Sequence, residues 1–138
     1  MSDYPREEVL TAWRRRMDLQ DADDWAGFGN TFTEDAVYWE HHYGVFRGRK
    51  AILEWIVPVM EHCKGWTFPV EWVCVDGNRV VHKWWNRLPG RRPDGSHYEF
   101  AGITVMEYAG SGRFSYQEDM YNRPETDKVL AEWQAARR

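Results

Sequence analysis

Residues 32–56 read FTEDAVYWEHHYGVFRGRKAILEWI. Phe32 leads into an acidic cap at Glu34–Asp35. Ala36 to His41 then has strand composition, and Tyr43 to Arg47 forms a shorter partner beyond a turn. After Arg47-Gly48-Arg49, residues 49–63 place Ile52, Trp55, Ile56, Val59 and Met60 on one helical face. Pro58 falls inside that helix and predicts a kink or a restart, because proline removes a donor and crowds the preceding turn.

The flanks extend this pattern. Residues 5–18 read as a helix with Pro5 at its start, Glu7 and Glu8 in its first turn, and Val9, Trp13 and Met17 repeating along one side. Asp21–Asp24 then caps a short second helix whose apolar stripe is Trp25, Phe28 and Phe32; Gly27 and Gly29 weaken it. Downstream, Asp76-Gly77-Asn78 joins strands over 67–76 and 79–87. PGRRPDG at 89–95 is the next turn, and Ala109-Gly110-Ser111-Gly112 joins strands over 98–108 and 113–121. Pro124 opens a last helix carrying Val129, Leu130 and Trp133. The predicted class is α+β with a mostly antiparallel sheet, as a single domain over 1–138 with its core at about 5–122 and a C-terminal helix at about 124–138.

Composition narrows the partners. The chain has 138 residues and a net charge of −4, with 18 basic and 22 acidic residues well mixed. That size suits one core, and the mixing argues against nucleic acid. Arg14-Arg15-Arg16 is too short to change this and reads as a solvated helix side. No apolar run is long enough for a membrane span, and no signal segment is evident. Two cysteines, Cys63 and Cys74, give neither a disulfide framework nor a metal spacing, which fits a reduced cytoplasm. Nine tryptophans are the unusual number. They supply either a heavily aromatic core and dimer face or a cavity of flat rings that receives a flat ligand.

With FTEDAVYWE, FRGRKAI, DGNRVVHKW, YEFAGITVMEY and GRFSYQEDMYN in that order, the chain resembles the NTF2-like superfamily. Within it the chain is most similar to the SnoaL-like branch of polyketide cyclases, limonene epoxide hydrolase, ketosteroid isomerase and scytalone dehydratase. The resemblance implies a cystatin-like cone: a curved sheet wrapped around helices with a central pocket. It also implies acid–base chemistry without cofactor or metal on a hydrophobic small molecule, of isomerase or cyclase, dehydratase or hydrolase type. A fold of this kind hosts many chemistries, and a non-catalytic ligand-binding or dimerisation module is the alternative.

The resemblance singles out Asp119. Many SnoaL-like proteins end their last strand on an Arg-Asp-Tyr-Phe-Asp-like run, and Glu118-Asp119-Met120-Tyr121-Asn122 holds that place. Alternation puts Gln117, Asp119 and Tyr121 on one face. A carboxylate among aromatic rings has a raised pKa, suited to proton transfer near neutrality; otherwise Asp119 is a structural residue paired with an arginine such as Arg87 or Arg113. The epoxide hydrolase also carries Arg-x-Asp on a neighbouring strand. Here Asn86-Arg87 lies near that place without the motif, which counts against epoxide hydrolysis.

Glu40 falls where ketosteroid isomerase carries its catalytic Asp, while Trp13 and Thr104 match the positions of that enzyme's two oxyanion donors. The dehydratase branch pairs a pocket His with Asp, which suggests His82–Asp119 or His41–Asp119. His41 and His42 alternate along a strand, so at most one enters the pocket. The expected catalytic groups are thus Asp119, Glu40, His82 and His41. Trp13, Tyr38, Trp55, Trp84, Asn86, Phe100, Thr104 and Tyr121 are expected to bind substrate. Trp84 and Trp85 face opposite ways, and an outward aromatic sheet face predicts a homodimer.

Overall fold

The computed structural model describes residues 4–138. Four helices, α1 (Arg6–Asp21), α2 (Trp25–Gly29), α3 (Arg49–Glu61) and α4 (Arg123–Ala136), cover one side of a single sheet. Its strands are β1 (Phe32–Glu40), β2 (Gly44–Arg47), β3 (Val70–Asp76), β4 (Arg79–Arg91), β5 (His97–Gly110) and β6 (Arg113–Tyr121). They lie in the order β2-β1-β6-β5-β4-β3. β1 and β6 run parallel and every other neighbouring pair is antiparallel.

Local chemistry accounts for most boundaries. Pro5 holds an extended conformation ahead of α1, with Glu7 and Glu8 following at the positive end of the helix dipole. The Asp24 carboxylate accepts the Gly27 N–H at 2.8 Å and starts α2, whose five residues match the short helix expected there. The Asn122 side chain accepts the Glu125 N–H at 2.9 Å and opens α4.

Three expectations about the elements change. α3 runs through Pro58 to Glu61. The lost N–H bond lies in the final turn, where only three residues remain to be carried. β1 starts at Phe32, so Glu34 and Asp35 sit in an exposed stretch of strand and cap nothing. β4 continues across Pro89-Gly90 to Arg91, and the turn begins only at Arg92. The β4–β5 register shifts between Arg87 and Arg91, a bulge that tolerates a proline, and the Pro89 carbonyl accepts the Trp133 indole N–H at 2.8 Å.

Alternation builds the inner face. On β5, Tyr98, Phe100, Gly102, Thr104, Met106 and Tyr108 are all buried. A large core cluster joins Val9, Trp13, Phe28, Phe32, Ile52, Met106 and Phe114 under α1–α3. A smaller one joins Leu88, Tyr98, Phe100 and Val129 under α4. Arg16 is buried against the first cluster. It is 0% exposed, whereas Arg14 and Arg15 face solvent, so the expected solvated run holds for only two of the three arginines. Its guanidinium lies 4.3 Å from the Phe28 ring, 4.4 Å from Phe32 and 4.5 Å from Phe114. It also donates to Thr31 Oγ1 at 2.8 Å. Spacing carries the signal: 9, 13 and 16 share one helical face.

Candidate functional site

Strand register lays four polar residues in one line across the concave face. His82 on β4 opposes Thr104 on β5, Thr104 opposes Asp119 on β6, and Asp119 opposes Glu40 on β1. All four are at least nine-tenths buried, and all four line a cavity of about 150 Å³. Alternation adds Trp84 and Asn86 beyond His82, Tyr38 beside Glu40, and Gln117 and Tyr121 on either side of Asp119. Trp55 from α3, Trp25 from α2 and Leu130 from α4 close the other walls.

Asp119 is the most heavily bonded group of the line. Its Oδ1 accepts from Thr104 at 2.8 Å and from Gln117 Nε2 at 3.0 Å. Its Oδ2 accepts the Tyr38 hydroxyl, which in turn accepts from Gln117 at 3.0 Å. Trp84 donates to Thr104 at 2.8 Å and so extends the chain by one member. Burial raises the Asp119 pKa, while the bonds from Tyr38, Gln117 and Thr104 and the charge of Arg16 hold it back. Burial and the adjacent Asp119 carboxylate push Tyr38 well above its ordinary value, so it remains a phenol and a donor. Burial pulls Arg16 down to about 9, which leaves it charged at neutral pH. Arg87 pairs with Glu99 at 2.7 Å and Arg113 bonds the Asn30 carbonyl at 2.6 Å, so neither arginine engages Asp119.

Glu40 forms a second centre. Its Oε2 accepts the Tyr121 hydroxyl at 2.6 Å, and its Oε1 accepts the His42 backbone N–H at 2.6 Å. Burial raises its pKa, and the Asp119 charge pushes the same way against the two bonds. Two carboxyl groups on facing register positions are thereby poised to hold protons at higher pH than free side chains.

The expected histidine couples do not form. Thr104 stands between His82 and Asp119 in the register, and His82 Nδ1 instead accepts the Trp13 indole N–H at 2.7 Å. Burial, with a contribution from Arg16, lowers the His82 pKa to about 3. His41 follows the end of β1 and turns outward, stacked on Trp39 and 2.7 Å from Glu118. His42 is the one that reaches the cavity, edge-on to Tyr121. Strand alternation could not separate the two, because both lie in the turn after β1.

Of the expected binding residues, Tyr38, Trp55, Trp84, Asn86, Phe100, Thr104 and Tyr121 line the cavity. Trp13 stands behind His82 and is not part of the wall. Trp84 faces in and Trp85 faces out, bonded to Glu71 at 3.3 Å. Sequence reasoning gave Gln117 no role of its own, although it shares the Asp119 face, and it missed His42 and Arg16. Several wall atoms have no protein partner: Trp55 Nε1, Asn86 Oδ1, Gln117 Oε1, His42 Nε2 and Thr126 Oγ1. Leaving such an atom buried and unpaired costs about 1–3 kcal/mol, so water or a bound ligand in the cavity would find polar partners there. Among the described residues no group of three His, Cys, Asp or Glu is arranged to hold a metal ion, and no helix is long and apolar enough to cross a membrane.

This architecture is shared. The family model of the SnoaL-like domain matches residues 13–117, and the chain belongs to that family. No curated protein matches it by sequence. Among solved structures it is similar to an LEH-like epoxide hydrolase of M. tuberculosis, at 17% identity and TM-score 0.75 over 94% of each chain. A protein provisionally described as a SnoaL-like polyketide cyclase from Shewanella denitrificans gives 16% identity and TM-score 0.73, covering 92% of this chain and 99% of that one. An NTF2-like protein of unknown function from Burkholderia pseudomallei gives 16% identity and TM-score 0.72, over 88% and 96%. Likeness at these identities establishes the NTF2-like, cystatin-like fold.

Proposed function

We propose that the protein is a cofactor-independent acid–base enzyme acting on a small, largely apolar molecule with an aromatic or polycyclic frame. The observation that carries this reading is Asp119: a carboxylate buried against a cavity of about 150 Å³, bonded only to uncharged donors and raised in pKa. Its partners are Tyr38, Thr104 and Gln117, and among the described residues no arginine, lysine or histidine bonds it.

Asp119 takes a proton from an acidic C–H or O–H of the substrate, and the electron pair left behind delocalises into the ligand. Glu40, in its protonated form, returns a proton at a second atom. Transfer of the abstracted proton from Asp119 to Glu40 restores the starting state, so no oxidant or reductant is consumed. Isomerisation or cyclisation fits this cycle best, dehydration next and hydrolysis third. Trp55, Asn86 and Tyr121 orient the ligand.

The test is deuterium uptake from D₂O at the α-carbon of 1-indanone, a small bicyclic ketone, followed by NMR with the wild type and Asp119→Asn. Catalysed uptake that the substitution abolishes is the expected result. Uptake unaffected by Asp119→Asn sinks the reading. Binding without uptake in the wild type would point to a ligand carrier.

Assembly as a homodimer belongs to the same proposal. The sheet face opposite the cavity leaves Trp72 42% and Trp39 39% exposed, and a second copy could cover them. A monomer mass by light scattering at micromolar concentration would remove this part.

A further inference from the structure

His82 is committed to one hydrogen-bonding state by its neighbour. An indole N–H can only donate, so the His82 Nδ1 that receives Trp13 at 2.7 Å must carry a lone pair. The ring proton therefore resides on Nε2. Among the described residues no protein group accepts from that Nε2, although the ring lines the cavity and is 5% exposed. Protonating Nδ1 would cost the Trp13 bond and place a cation in the same apolar interior as Arg16. The charged group that acts on the ring is Arg16 on α1; the β5 residue opposite it is the uncharged Thr104, and the carboxyls of Asp119 and Glu40 lie two and three strands away on β6 and β1.

We infer that His82 is a fixed, uncharged hydrogen-bond donor whose Nε2–H receives a carbonyl oxygen of the ligand, with Trp13 as the residue that positions it. The inference rests on the acid–base reading above and gives the substrate a class: a ketone or related carbonyl compound, oriented with its oxygen toward β4 and its acidic C–H toward β6. The strand order gives the reason. His82 and Asp119 lie two strands apart on the same transverse line, with Thr104 between them. One end of the line thus receives the oxygen while a carboxylate two strands away takes the proton. As the C–H bond breaks, negative charge gathers on that oxygen, and a donor already aimed at it stabilises the enolate. A neutral imidazole suits this better than a cation, because it does not hand its proton over and trap the enol.

Two measurements on the full chain test this. In ligand-free protein, ¹⁵N NMR of the His82 ring should show Nδ1 as an unprotonated acceptor and Nε2 as protonated, unchanged from pH 5 to 8. A proton on Nδ1, or titration near the ordinary histidine value, overturns the inference. With carbonyl-labelled 1-indanone bound, the infrared C=O stretch should move to lower wavenumber than in hydrocarbon solvent. That shift should vanish in His82→Phe and persist in His82→Gln, whose amide keeps a donor near Nε2. Deuterium uptake should fall about 10²-fold in His82→Phe. In Trp13→Phe, uptake should fall with KM nearly unchanged, and His82 should begin to titrate. A stretch that is the same in wild type and His82→Phe, or no binding of the ketone at millimolar concentration, overturns the carbonyl assignment. If Asp119→Asn stops uptake while the stretch ignores His82, the acid–base reading stands and this inference alone falls.

Discussion

Glu40 and Asp119 are register partners on the parallel strands β1 and β6, and both carboxyl groups enter one cavity. Like charges on adjacent strands disfavour simultaneous ionisation, and each already has its pKa raised by burial. Proton uptake by one member therefore assists ionisation of the other.

Asp119→Asn should lower catalysed deuterium uptake by about 10²–10⁴-fold, the usual span for a general base, and Glu40→Gln should lower it less. The stability consequence has the opposite sense. A carboxyl whose folded pKa lies above its unfolded value, near 3.8, stabilises the fold below that value, and this contribution is lost as pH rises through the folded pKa. Asn does not titrate. Urea unfolding should therefore show the stability difference shifting in favour of Asp119→Asn between pH 4 and 8.

His82 has the reverse linkage. Its folded pKa of about 3 lies below the ordinary 6.5, so its contribution is present above 6.5 and lost as pH falls toward 3. Between pH 7.5 and 5 the wild type should lose about 2 kcal/mol through this group alone. His82→Asn, which keeps an acceptor for Trp13, should lack that loss. Equal pH slopes in the two proteins would count against a buried neutral His82.

Arg16 acts on Asp119 through space. Its charge is among the influences that hold the Asp119 pKa down, and the two make no direct bond. Arg16→Met should therefore raise the Asp119 pKa further, read as an upward shift in the ¹³C titration of its carboxyl carbon. Arg16→Lys, with the charge retained, should move it less.

Gly102 tests the packing beneath the site. A Cβ there would lie 2.4 Å from Trp84 Cζ2 and 2.6 Å from Cε2, so the indole must move and its 2.8 Å bond to Thr104 is put at risk. Gly102→Ala should cost about 1–3 kcal/mol in urea unfolding, with altered tryptophan fluorescence.

The fold was legible because it depends on period and turn chemistry: Asp76-Gly77-Asn78, Gly110-Ser111-Gly112 and the alternation of β5 need no distant partner. Seven of the eight expected binding residues line the cavity for the same reason. What escaped depends on three-dimensional partners. Arg16 shares a helix side with Trp13, but nothing in a sequence says that three phenyl rings would take the place of solvent around its charge. Nor can spacing show that the indole of Trp13 meets the imidazole of His82, 69 residues away. His41 and His42 were ambiguous because a strand ended one residue before them.

The last helix does more than cover the sheet. The polar line belongs to β4, β5, β6 and β1, whereas Thr126 and Leu130 of α4 form a separate wall, fastened to β4 through Trp133 and Pro89. That wall, like Asp119 and Tyr121, lies beyond the stretch matched by the family model, residues 13–117. Part of the cavity wall is thus carried by a helix that holds none of the four residues in the polar line. Changes in the final 16 residues would therefore reshape that wall while leaving the line of His82, Thr104, Asp119 and Glu40 in place.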